Sequence, residues 1–99
     1  MNDSHITVAS SELSEDAVRG RIRDFIFSTF YVPDAGGLSD DTSLLESGVV
    51  DSTGVLEVLA FLEKDFGVHV DDSEVTPGNL DSIGRLTSFV SRKLGRVQG

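Results

Sequence analysis

Apolar residues recur at helical spacing in three separate stretches of this 99-residue chain. Val18, Ile22, Phe25, Ile26 and Phe30 follow one another at intervals of four, three, one and four. Val55, Leu59, Leu62 and Phe66 form a second stripe, with Val58 beside it and Leu56 and Ala60 toward the opposite side. Ile83, Leu86, Phe89, Val90 and Leu94 form a third. Each stripe is one face of an amphipathic helix that must be covered by the others. The pattern predicts an all-α domain, a small bundle of three main helices plus one short helix with a long first loop.

The ends of these helices are marked by local signals. Ser11 or Ser14 can cap the first, with Glu12, Glu15 and Asp16 placed favourably in its opening turn. It should end near Tyr31, because Pro33 disfavours helix at Val32. The loop from Pro33 to Val50 is long for so small a domain, and its leucines are its expected anchors. The second helix starts at Asp51 or Ser52 and runs to about Phe66, where Gly67 is placed for a C-cap. Asp71 or Asp72 opens a brief helix through Val75, and Thr76-Pro77-Gly78 reads as a turn. Asn79 or Asp81 caps the last helix, which runs to about Leu94 before Gly95 stops it. Residues 1–11 read as a disordered N-terminal tail, 12–95 as one domain and 96–99 as a C-terminal tail.

Charge and cysteine content exclude several functions. Between Asp24 and Asp81 thirteen acids face one base, Lys64. The segment before it carries Arg19, Arg21 and Arg23, and the segment after it carries four bases and no acid. A net charge of −9 argues against nucleic acid and against anionic membranes, both of which reward Lys and Arg. No apolar run approaches a membrane span, and the polar N-terminus has no signal-peptide core, so a soluble cytoplasmic monomer is expected. The absence of cysteine removes disulfides, thiolate nucleophiles and sulfur-bound zinc. The histidines, His5 and His69, build neither a metal cluster nor a catalytic pair. Asp51-Ser52-Thr53-Gly54 comes close to the Asp-Thr-Gly of small aspartic proteases, but one extra residue separates Asp from Gly and a helical period follows. Val50 stands where a G-x-S-x-G elbow needs its first glycine. The acids Asp71, Asp72 and Glu74 lack the spacing of a calcium loop, so no metal site is expected.

Ser52 remains, at the junction of the long loop and the second helix. Its plain role is a cap or first-turn residue. Its chemical role would be an attachment point, because an anion esterified to a serine at a helix N-terminus meets open N–H groups and the positive end of the dipole.

The stretch from Leu38 through Leu44-Leu45-Glu46-Ser47-Gly48-Val49-Val50-Asp51-Ser52 resembles the approach to the modification site of acyl carrier proteins. The helix Val55 to Phe66, the link Gly67-Val68-His69-Val70 and the opening Asn79-Leu80-Asp81-Ser82-Ile83 continue the resemblance, which covers about Ser14 to Leu94. The resemblance implies that Ser52 receives 4′-phosphopantetheine from coenzyme A through a phosphopantetheinyl transferase. It implies that Asp51 helps the transferase engage the site and that Thr53 adjoins the group. Leu56, Glu57, Ala60 and Glu63 match positions where carrier proteins meet basic partners. Val55, Val58, Leu59, Leu62 and Phe66 would line the core or the pocket that shelters an acyl chain. The chain would then be no enzyme but a substrate for several. An acyl- or aminoacyl-adenylating ligase and a downstream acyltransferase or synthase would act on it in trans.

Thr53 stands where that family most often has Leu, Gly54 where a polar helix former is usual, and Lys64 dilutes the acidity of the second helix. These departures, two of them beside the serine on the surface that partners read, point to a dedicated pathway rather than general fatty-acid synthesis. The alternative from another class is an acidic helical protein–protein interaction module with no prosthetic group.

Overall fold

The computed structural model describes residues 14–33 and 35–95. The expected tails and His5 lie outside the described residues, which are helical and loop throughout, with no strand among them. Helix α1 spans Glu15–Thr29. The Ser14 hydroxyl accepts from the Ala17 N–H at 3.1 Å, and Glu15 and Asp16 sit in the first turn. Val18, Ile22 and Ile26 are buried, while Phe25 and Phe30 pack at the edge of the core. The helix stops two residues short of Tyr31, because Phe30 is already extended.

Helix α2 spans Ser52–Phe66. Asp51 is its cap, and Gly67 closes it in the left-handed region (φ 69°), donating to the Glu63 carbonyl. The buried line is Gly54, Val58, Leu62 and Phe66. Val55 and Leu59, expected on that line, are half-buried instead. The stripe is rotated by part of a turn because a glycine, which a hydrophobic pattern does not count, occupies its first place.

After α2, Val68 and Val70 point inward and His69 outward. The short helix expected through Val75 is a single 3-10 turn, Asp72–Glu74. The expected turn at Thr76-Pro77-Gly78 is instead the start of a one-turn helix α3, Pro77–Leu80, with Pro at the position where a missing N–H costs nothing. Helix α4 spans Ile83–Lys93 and buries Ile83, Leu86, Thr87, Phe89, Val90 and Ser91. Its cap is Ser82, whose hydroxyl accepts from the Arg85 N–H at 3.1 Å; neither Asn79 nor Asp81 caps it. Asn79 donates to the Glu74 carbonyl, and Asp81 faces the long loop.

The bundle forms as α1 and α3 pack on α4, and the long loop is tied to the start of α4. Leu38, Leu44 and Val50 are the buried anchors of that loop. Leu44 N–H donates to the Asp81 carbonyl at 2.8 Å, and Gly84 N–H donates to the Asp40 carbonyl at 2.8 Å. Arg19 Nε lies 2.8 Å from the Asp40 carboxylate and Arg23 Nη1 lies 3.4 Å from it. Lys93 Nζ likewise sits 2.9 Å from Glu74. The basic flanks of the sequence therefore fold onto parts of its acidic middle.

The Glu74 carboxyl lies below its ordinary value of 4.5, because it accepts from the Asp71 N–H and from Lys93. A group held in its charged form by the fold contributes fully above its unfolded value, and the contribution fades as pH falls through the folded value. Glu74→Gln should therefore lower the urea midpoint at about pH 7. The gap to wild type should close as pH falls below 4.5. Denaturation curves taken across that range check it.

Candidate functional site

Ser52 is the first residue of α2 and is exposed. Asp51, extended and half outside the helix, turns its carboxylate inward, where Oδ1 accepts from the Gly54 N–H at 2.7 Å. The Val55 N–H bonds to the Asp51 carbonyl at 3.1 Å. The Ser52 hydroxyl makes no hydrogen bond among the described residues, and neither do the Ser52 and Thr53 N–H groups. The site thus combines a free hydroxyl, two unpaired donors and the positive end of a 15-residue helix. Among the described residues no base is hydrogen-bonded to the hydroxyl, so it suits modification by another enzyme better than attack on its own account.

Beside this turn lies an apolar cavity of about 120 Å³. Leu44 and Val50 of the loop, Val55 and Val58 of α2, and Val75 and Leu80 from the far side line it. Val55 lies three residues from Ser52, on the same face of the helix. Of the residues expected to line core or pocket, Val55 and Val58 reach the cavity, whereas Leu62 and Phe66 are buried in the core. Leu59 packs half-buried against that core. Leu45 and Val75 are exposed at the surface here.

Asp81 holds the cavity's loop wall in place. Its carboxylate accepts from the Ser43 hydroxyl at 2.6 Å and from the Leu45 N–H at 3.0 Å. Asp81, which with Asn79 is a candidate cap by sequence, has the loop as its partner, and no local signal shows it.

Leu56, Glu57, Ala60 and Glu63 share the outer face of α2 and all are exposed. Leu56 is 66% exposed, a large apolar side chain left in water. Glu57 and Asp65 have no ion pair among the described residues, so their charges on this helix stand unneutralised. Glu63 is partly engaged, since it accepts from the Val70 N–H at 3.0 Å and lies 3.7 Å from His69. His69 itself is exposed and paired with Asp71 at 3.0 Å. No group of three potential metal ligands occurs among the described residues. None of the described helices is long and apolar enough to cross a membrane. Thr53 is exposed as expected, but Gly54 is buried and belongs to no surface that a partner could read.

No family model matches the chain. It is 23% identical over 82 residues to an acyl carrier protein of Thermotoga maritima, covering 83% of this chain and 98% of that one. The match to an acyl carrier protein of Lactobacillus acidophilus is 25% over 83 residues, 84% of this chain and all of the relative. The match to the probable acyl carrier protein PigG of a Serratia species is 24% over 75 residues, 76% of this chain and 86% of that protein. The chain is similar to acyl carrier proteins along most of its length. That similarity and the helical bundle together support a carrier role.

Proposed function

We propose that the chain is an acyl carrier protein, modified at Ser52 with 4′-phosphopantetheine. The observation that carries this reading is the exposed, unbonded Ser52 hydroxyl at the capped start of α2, next to an apolar cavity. The Ser52 oxygen forms a phosphoester with the pantetheine-bearing phosphorus of coenzyme A, as the pyrophosphate P–O bond breaks. The serine proton and adenosine 3′,5′-bisphosphate leave, all under a phosphopantetheinyl transferase. The Ser52 and Thr53 N–H groups and the helix dipole favour the resulting negative charge. Asp51 fixes the turn through its bond to Gly54 and, being exposed, is also within reach of the transferase. When attached, the group supplies the thiol this cysteine-free chain lacks and holds the cargo as a thioester.

Leu56, Glu57, Ala60 and Glu63 then form the face that basic partner enzymes dock on, steered by the unneutralised charges on α2. Those partners are an adenylating ligase and a downstream acyltransferase or synthase, acting in the cytoplasm. Thr53 and Lys64, both exposed, favour service in a dedicated pathway. Incubation with coenzyme A and several transferases of broad specificity, read by intact mass, should add one phosphopantetheinyl group per chain. A chain that stays unmodified with all of them overturns the reading.

A further inference from the structure

Gly54 sits in the third position of α2, where glycine disfavours the helix by about 1 kcal/mol. The structure gives a reason for it. A Cβ at position 54 would lie 2.8 Å from Cε1 of Phe30, closer than carbon atoms come without displacement, and 3.2 Å from Cγ1 of Val50. The edge of the Phe30 ring therefore occupies the space of the missing side chain, beneath the turn that presents Ser52. Phe30 is half-buried, and a neighbouring ring braces it on one side. Phe25 meets it edge-on at 5.9 Å, and Phe25 is stacked on Phe61 of α2 at 4.1 Å. Phe61 in turn meets Phe66 edge-on at 5.6 Å. A ladder of four rings thus runs between the start of α2 and its end, and its first rung lies against Gly54.

We propose that Phe30 is a positioning residue for Ser52: its ring, seated on Gly54, sets where the first turn of α2 stands and hence where the Ser52 hydroxyl is offered for phosphopantetheinyl transfer. The proposal rests on the reading of Ser52 as the modification site. It places loading under the control of a residue at the end of α1, outside the surface that partners read. Adding a methyl group at 54 displaces the turn while leaving Glu57 and the rest of the outer face of α2 unchanged. The loss should then fall on kcat of the transferase reaction, since misplacing a nucleophile by a fraction of an ångström costs orientation rather than docking.

The test is a size-compensation cycle on the full chain. Gly54→Ala should lower kcat of loading about tenfold with KM within about twofold. Phe30→Leu, which withdraws the ring edge, should lower it as well. Gly54→Ala/Phe30→Leu should recover to within about threefold of wild type, because the new methyl enters the space the ring has left. Amide exchange read by NMR on the unmodified chain supplies a measurement that needs no transferase. Exchange at positions 54 and 55 should quicken about tenfold in each single variant and slow again in the double, with α4 unchanged. Folded single variants loaded at the wild-type kcat, or a double variant whose losses add, overturn the proposal. A wild-type chain that no transferase loads overturns instead the assignment of Ser52, and this proposal with it, whatever the exchange data show.

Discussion

Ser52→Ala should leave the bundle folded and reduce phosphopantetheine transfer from coenzyme A to nothing measurable by intact mass. The hydroxyl makes no hydrogen bond among the described residues and the side chain is exposed, so its removal breaks no packing or network. Asp51, not Ser52, is the cap of α2, so the helix start survives the substitution. Surface changes away from such features stay within about 0.5 kcal/mol. The transfer itself is all-or-none, because alanine offers no oxygen to form the phosphoester. Retained modification in Ser52→Ala would move the site elsewhere. An intact biological activity in that variant, lost on charge reversal at Glu57, would instead favour an interaction module without a prosthetic group.

Asp81→Ala should destabilise the fold by about 2 kcal/mol, since it removes two hydrogen bonds to a charged acceptor. The Ser43 hydroxyl and the Leu45 N–H would both lose their carboxylate partner. For a domain of this size that corresponds to a fall of about 10 °C in melting temperature. The damage should be local before it is global. The segment from Ser43 to Leu45 forms the loop wall of the apolar cavity, so exchange protection of its amides should fall first. Asp81→Asn, which keeps one oxygen acceptor, should recover part of the loss. Thermal melts of the three proteins check the order, and equal melting temperatures would refute the role given to Asp81.

Much of the bundle was legible in contiguous residues. The limits of helix α2 are legible to within a residue because its signals are local: Asp before the first turn, a helical repeat within, and Gly where the chain turns left-handed. For α1 the local signals leave Ser11 and Ser14 both open as caps, and the fold uses Ser14. The start of α4 was misplaced for an instructive reason. Asp81 and Ser82 are equally good caps by type, and nothing in their immediate neighbours separates them. The choice falls to Ser82 because the Asp81 carboxylate finds donors 36 and 38 positions away, across the fold. Likewise, the acids at Asp40 and Glu74 counted toward one negative field until the fold set Arg19, Arg23 and Lys93 against them.

By itself, then, the sequence determined the helical class, the limits of α2 and the position of Ser52 at its head. Each follows from periodicity and capping chemistry within a few residues. Only the tertiary structure decided what surrounds that serine. The apolar cavity draws its wall from three separated segments, and the loop is clasped by Asp81. Gly54, a cost to an isolated helix, becomes the place where Phe30 fits. Such features depend on which distant side chains meet, and that is fixed by packing the whole chain at once.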